Sequence, residues 1–333
     1  MSRVAAPIVI VGAGVAGLSL AYALGRRGRR ALVLERGRVG AQGASSGPAA
    51  LVNPPRGRSA RAHPDDLAGL AAFWRVVGEL EAAGLDPGAH RSGVLRIAPS
   101  ASRARAWQKL ASGRWLEARE VPPPYLAPHG ALLSEAGGWL RPRALLSALK
   151  AASLDAGVEV REGVRVLALE ASAGAVRLTT SAGRLSAPWA VLCVGADPSP
   201  GLPLPQLTSI AGDVVGVPTR ALSAAPGPAL GGSVYVAFDA GTAYVGGNHR
   251  DPEVPDPAAP RRLLERLDAA LPGIADARAT SLWSGVRARR PDGPRPLVTD
   301  VAASVTLFGA LSGRGFLCAA ALADALTERL AGT

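Results

Sequence analysis

The chain has 333 residues, 48% hydrophobic and 4% aromatic, with 40 Gly and 28 Pro. Its length exceeds one ordinary core and points to two domains, and its composition excludes a fibrous, repeat or low-complexity protein. The net charge is +11, and since Lys109 and Lys150 are the only lysines, arginine supplies nearly all of the positive charge. Composition bias accounts for that skew as readily as selection for a polyanion.

Pro7–Gly12 reads Pro-Ile-Val-Ile-Val-Gly, a β-branched run suited to a strand buried on both faces. Gly12-Ala13-Gly14-Val15-Ala16-Gly17 follows, and Leu18, Leu20, Ala21 and Leu24 then recur at helical spacing to Arg26 and Gly28. A second apolar run, Ala31–Leu34, ends in Glu35, 23 residues after Gly12. Strand, glycine turn, helix, strand and acid together make the context of a dinucleotide fingerprint. Gly12 permits the tight turn, Gly14 admits a pyrophosphate to the backbone, and Gly17 lets the helix pack on the strand. Glu35 is placed to accept from a ribose diol. Val4–Gly25 carries no charge and is long enough to span a bilayer, yet its clustered glycines and Ile-Val-Ile-Val oppose a spanning helix. Its removal as a signal peptide would destroy the fingerprint, so no membrane partner is expected.

The segment Arg36–Arg61 reads as a loop. Gly43-Ala44-Ser45-Ser46-Gly47 formally matches the nucleophile elbow GxSxG, but it lacks the preceding strand and following helix that the elbow requires. Further on, the pattern predicts a helix over Asp65–Ala83, a strand over Arg91–Ala98, a helix over Ser102–Leu110 and a proline-rich connection at Val121–Pro128. Gly137-Gly138-Trp139-Leu140-Arg141-Pro142 opens a helix from Arg143 to Ala156. Strand Val158–Val160, a meander over Val164–Glu170, Ala175–Thr180 and Arg184–Ser186, and strand Trp189–Val194 come next. Strands Val214–Pro218, Ser233–Phe238 and Ala243–Gly247 precede a helix at Ala259–Leu271 and a strand at Ser281–Ala288 that bears Arg287, with Arg289 and Arg290 beyond it. The chain closes as it opened: strand Val305–Leu311, the turn Ser312-Gly313-Arg314-Gly315, and an apolar helix Phe316–Leu330. That helix N-terminus is suited to an electron-rich part of the same cofactor.

Cys193 and Cys318 sit in apolar runs far apart, and His63, His90, His129 and His249 lack ligand spacing. Neither a disulfide framework nor a metal site is expected, and the compartment reads as a reducing cytoplasm.

Taken together, Gly12–Glu35, Gly43–Ser46, Gly137–Pro142, Trp189–Gly195, Gly285-Val286-Arg287 with Asp292 and Pro296, and Gly309–Leu317 resemble the D-amino-acid oxidase/glycine oxidase superfamily of FAD-dependent amine oxidoreductases. Within it the likeness is greatest to the flavin half of the bifunctional tRNA 5-(methylaminomethyl)uridine enzymes. The chain departs from them at Gly47-Pro48-Ala49-Ala50, where they tend to carry polar Asn, Arg and Gln.

The resemblance implies an α/β (α+β overall) fold: a Rossmann-like FAD-binding domain of the glutathione-reductase type, with a discontinuous mixed-sheet substrate domain. The FAD domain would comprise 1–90, 134–206 and 290–333, and the substrate domain 91–133 and 207–289. Noncovalent FAD would be held by Gly12, Gly14, Gly17, Glu35, Val164, Gly195, Gly313, Arg314 and Gly315, with Arg36, Ser45, Ser46 and Phe316 beside them. The implied chemistry is hydride transfer from a glycine-like C–N unit to flavin N5, followed by imine hydrolysis. Arg287 is singled out for the substrate carboxylate, since guanidinium offers a planar, permanently charged fork. Arg314 is expected as a second anion contact or a neighbour of flavin O2, and Tyr244, with His249, as a candidate for the pocket wall. The substrate is either a small amine such as glycine, sarcosine or a D-amino acid, or the carboxymethylaminomethyl group of a tRNA uridine. Two other readings remain, an NAD-dependent dehydrogenase and a flavoprotein without turnover.

Overall fold

The computed structural model describes residues 6–110, 112–198, 200–222, 227–254 and 256–331. Val4 and Ala5, the start of the uncharged opening stretch, lie outside them.

The opening run folds as the β-branched pattern requires. Ile8–Val11 is a strand buried on both faces, followed by helix α1, Val15–Arg26. It is the centre of a six-stranded sheet whose order is Leu297–Ala302, Val305–Gly309, Ala190–Leu192, Ile8–Val11, Ala31–Glu35, Glu159–Glu162. All neighbours are parallel except the first pair, an antiparallel hairpin at the edge. A parallel sheet needs covering on both faces. Helices α2 (Pro64–Ala82), α3 (Ala101–Trp107), α4 (Pro142–Asp155), α5 (Ala259–Asp268) and α6 (Gly315–Ala331) follow in the chain. Of these, α4 and α6 pack on α1, and α2 packs on α6. The meander Val166–Ser172, Ala175–Thr180, Gly183–Ala187 covers the opposite face with Leu169, Val176 and Leu178. No described helix is long and apolar enough to cross a membrane. The uncharged opening stretch is instead split between a strand and a helix.

The second large sheet has eight strands, in the order Ser281–Arg289, Thr208–Pro218, Thr242–Gly246, Tyr235–Asp239, Ala229–Leu230, Val94–Ile97, Ala131–Ser134, Arg114–Leu116. One face buries Val215, Val217, Val236 and Val245 under α5. The Asp239-Ala240-Gly241 turn has positive φ at both Ala240 and Gly241, as a tight hairpin requires.

Sequence patterning missed the short strands. Ala50–Val52 falls inside the segment read as a loop, and it pairs with Gly138–Leu140, which in turn pairs with Ala89–His90. Strands of two or three residues carry too little alternation to be recognised locally. Only their partners define them. Leu297–Ala302 was also missed.

Candidate active site

The two large sheets meet around one cavity of about 1730 Å³. Its first wall is the opening turn. Gly12 has φ of +101°, and a Cβ there would run into the Cys193 carbonyl. At Gly14 only the Ser45 hydroxyl comes near, which leaves an open approach to the backbone. Helix α1 has no cap of its own, so the chain supplies partners from elsewhere. The Ala13 N–H donates to Glu35 Oε2 at 2.8 Å, and the Val15 N–H donates to Ser45 Oγ at 3.1 Å. Ser45 therefore steadies the helix start and is no nucleophile on an elbow. Glu35 also accepts from the Gly37 N–H at 2.9 Å, so its carboxylate faces the turn where a ribose would lie.

The second wall is the closing turn. Ala310 and Ser312 both have φ of 52°, a conformation that costs energy in residues with a side chain. The kink aims Gly313 and Gly315, at the start of α6, into the cavity. Arg314 behaves differently. Its guanidinium turns inward to Asp66 of α2, which also holds Arg56 at 2.9 Å, and its carbonyl accepts from Cys318 Sγ. Arg314 thus ties α2 to the closing turn, with its charge already met by a carboxylate.

The third wall is the eight-stranded sheet. Pairing places Trp283, Gly285 and Arg287, then Gly212, then Gly246, then Tyr235 on one face. The glycines make the room: a Cβ at Gly212 would meet the Arg287 guanidinium, and one at Gly246 the Tyr235 ring. Arg287 reaches across to the closing turn, its Nη1 3.5 Å from where a Gly313 Cβ would sit. It forms no ion pair with a described carboxylate, and burial lowers its pKa while the Tyr235 hydroxyl opposes that shift. Tyr235 is pushed up to about 12 by burial, and its hydroxyl lies 3.4 Å from the Ala49 carbonyl. His249 lies on the same wall. Burial, then Arg287, Arg289 and Arg266, hold it below the ordinary histidine range.

Most residues singled out in the sequence come together here. Gly12, Gly14, Glu35, Arg36, Ser45 and Val164 line the cavity, as do Gly195, Gly313, Gly315, Phe316 and Arg287. Gly17 lies behind the turn, where a Cβ would overlap the Gly12 carbonyl oxygen. Ser46 accepts from Trp283 Nε1 at 3.2 Å and fastens the Gly47 loop beneath that indole. The small residues at Gly47–Ala50 make space for Trp283 and for the Tyr235 hydroxyl contact. Tyr244 does not reach the cavity; it packs with Ala49, Val94 and Trp139, and Tyr235 on the neighbouring strand takes the wall position instead. Arg289 is also absent from the lining, which separates it from Arg287. Tyr235 and Trp283 went unnoticed in the sequence. Alternation within their strands was the one available signal, and it does not say which face borders a ligand.

A family model described as DAO, FAD dependent oxidoreductase, matches residues 7–329. The chain belongs to this family. Its cofactor is FAD, and it is an amine oxidoreductase. A glycine oxidase from Bacillus licheniformis is 28% identical over 312 residues, covering 86% of this chain and 82% of the relative. The tRNA 5-methylaminomethyl-2-thiouridine biosynthesis bifunctional protein MnmC of Maricaulis maris is 29% identical over the whole chain. The chain spans about half of that relative's length, 53%. Among solved structures, the glycine oxidase of Geobacillus kaustophilus superposes with a TM-score of 0.83 at 23% identity, covering 98% of this chain and 95% of its own. This likeness carries the α/β fold with its parallel and antiparallel sheets. FAD also fits what the chain presents: an approachable backbone at Gly14, a capped helix start, an acid at the ribose position and a second helix N-terminus facing the same cavity.

Proposed function

We propose that this FAD-dependent enzyme oxidises the C–N bond of a glycine or N-substituted glycine whose carboxylate is held by Arg287. One observation carries the reading: a largely buried guanidinium on the cavity wall, opposite the closing turn, with no carboxylate partner among the described residues. Burying a charge without a partner is expensive, and a site that binds an anion repays the expense when occupied. The planar fork would fix the carboxylate, with the Tyr235 hydroxyl beside it, so that the α-carbon is presented at one place. Arg287, Arg289 and Arg266, which depress His249, would also favour the neutral form of a bound amine, the form that can be oxidised. FAD, when bound, supplies the acceptor for the two electrons and the hydrogen lost from the α-carbon. The nitrogen gives up its proton, and water then adds across the resulting C=N bond to release the amine and a two-carbon oxo acid.

With this reading goes a division of the chain into an FAD domain (1–90, 134–206, 290–333) and a substrate domain (91–133, 207–289), which the placement of the strands supports. Every strand of the parallel sheet falls in the first set of segments, and the strands of the eight-stranded sheet fall in the second, to within one residue at Ser134. A modified tRNA uridine as carrier of the glycine unit is the second reading, favoured by a likeness that runs the whole of this chain along part of the bifunctional relative and by the net charge of +11. The visible spectrum of the purified protein, followed by anaerobic addition of glycine, sarcosine and modified tRNA, tests both. Bleaching of a flavin spectrum by at least one of them is expected. A flavin that none of them reduces would overturn the proposal.

A further inference from the structure

We propose that Arg58, Arg96 and Arg103 form a second anion subsite in the same cavity, which takes a phosphate or carboxylate at the far end of the amine's substituent. The inference rests on Arg287 as the carboxylate site and extends it along the sheet.

All three side chains belong to residues that line the cavity. Arg96 is on strand Val94–Ile97. Its guanidinium donates to the Pro55 carbonyl at 3.4 Å and to the Gly57 carbonyl, and it lies over the Trp107 ring, 5.5 Å from the centroid. Its Nε is buried and has no hydrogen-bond partner among the described residues. Trp107 Nε1 donates to the Arg58 carbonyl at 3.3 Å, and Ser112 Oγ donates to the Ala60 carbonyl at 3.0 Å. The segment carrying Arg58 is therefore tied down from the strand, from α3 and from the loop after it, so that the Arg58 backbone sits next to the Arg96 guanidinium. Arg58 and Arg103 are exposed at this end of the cavity.

None of the three forms an ion pair with a described carboxylate. Asp66, in the first turn of α2 just after this segment, is already engaged by Arg56 and Arg314. Burial alone lowers the Arg96 pKa, with no neighbouring carboxylate to offset it. Asn53, 8% exposed, also lines the cavity; its Nδ2 sits 3.0 Å from the Cβ position of Gly231, and its Oδ1 has no partner among the described residues. The Gly231 N–H donates to the Leu95 carbonyl, which puts this unpartnered acceptor next to the Arg96 strand. The surplus arginine charge and the unmet Arg96 Nε donor suit an anion, while the Asn53 Oδ1 acceptor suits a hydroxyl or N–H of the substituent that carries it.

Position decides the ligand class. Strand Val94–Ile97 and strand Ser281–Arg289 are five steps apart in the sheet order, which at about 4.8 Å per step is about 24 Å along the sheet. A free glycine or sarcosine held by Arg287 leaves the far arginines empty. An N-substituted glycine with an anion at the end of a long substituent touches both. The cofactor's pyrophosphate does not account for these arginines, because its place is the start of α1, on the other sheet.

The test compares pairs of substrates that differ only at the far end: N-(ω-phosphoalkyl)glycine against its ω-hydroxyalkyl counterpart, and 5-carboxymethylaminomethyluridine 5′-phosphate against the free nucleoside. Binding is read from the perturbed flavin spectrum of the holoenzyme, and reduction from anaerobic bleaching. The phosphate form is expected to bind roughly 10- to 100-fold more tightly, as a charge-assisted contact allows. Arg96→Gln and the exposed double change Arg58→Glu with Arg103→Glu should remove that preference, and sarcosine reduction in each variant reports whether the flavin site is competent. Preference in both pairs marks a general anion subsite, and preference in the uridine pair alone marks a nucleotide one. Equal affinity within both pairs, or a preference that survives in a competent double variant, overturns the subsite. If neither sarcosine nor any tailed glycine bleaches the flavin, the carboxylate assignment falls instead, and the binding comparison still decides the subsite.

Discussion

Replacing Arg287 with alanine separates binding from folding. In the resting chain the guanidinium is largely buried without a described carboxylate partner, so its loss removes a desolvated charge and not a stabilising pair. The thermal midpoint is therefore expected to hold or to rise. For substrate, truncation leaves a carboxylate desolvated with its charged partner missing, a loss of about 2–5 kcal/mol. That corresponds to a fall of about 30-fold to several thousand-fold in the second-order rate of flavin reduction. Arg287→Lys keeps the charge but not the fork and should recover part of the rate. The assay is anaerobic stopped-flow bleaching with sarcosine across a concentration series, alongside a thermal melt and a spectrum of the bound flavin. Reduction within threefold of wild type would refute the assignment, and a melt lowered by many degrees would show that the guanidinium has a structural partner.

Four further outcomes follow from the geometry. Glu35→Ala removes the acceptor for the Ala13 and Gly37 N–H groups as well as the ribose contact, so FAD should dissociate more readily in dialysis; unchanged affinity would remove Glu35 from the ribose site. Gly17→Ala puts a methyl group into the Gly12 carbonyl and should cost roughly 1–3 kcal/mol or more in urea unfolding, whereas a midpoint equal to wild type would mean the helix has slack against the strand. His249 has a folded pKa below its unfolded value near 6.5, so the unfolded chain gains a proton first and stability falls as pH drops from about 6.5 towards the folded pKa; His249→Gln should flatten that slope, and parallel curves would count against it. Burial pushes the Cys318 thiol up to about 12 and the Cys193 thiol upward too, so neither is a ready nucleophile, and acid precipitation should release all of the yellow chromophore; colour left in the pellet would indicate a covalent link.

The opening fingerprint was legible because its determinants are local. Gly12, Gly14, Gly17 and Glu35 act within one strand–turn–helix–strand unit, and the positive φ at Gly12 and the crowding at Gly17 arise from that unit and the next strand. The closing turn at Ser312–Gly315 was legible on the same grounds, and so were the helices that carry an apolar stripe. The tertiary structure alone decided the rest, because the deciding partners are far away along the chain. Arg314 looked like a free cation until Asp66, 248 residues distant, was found to hold it. Arg287 and Arg289 share a strand face, and the approach of Gly313 in the closing turn distinguishes them. Tyr235 and Tyr244 lie on adjacent strands with the same outlook, and the packing of Ala49, Val94 and Trp139 sends one into the core and leaves the other on the cavity wall. Alternation tells which side of a sheet a residue faces. What stands opposite that side is a property of the whole fold, since it depends on segments whose sequence carries no trace of the encounter.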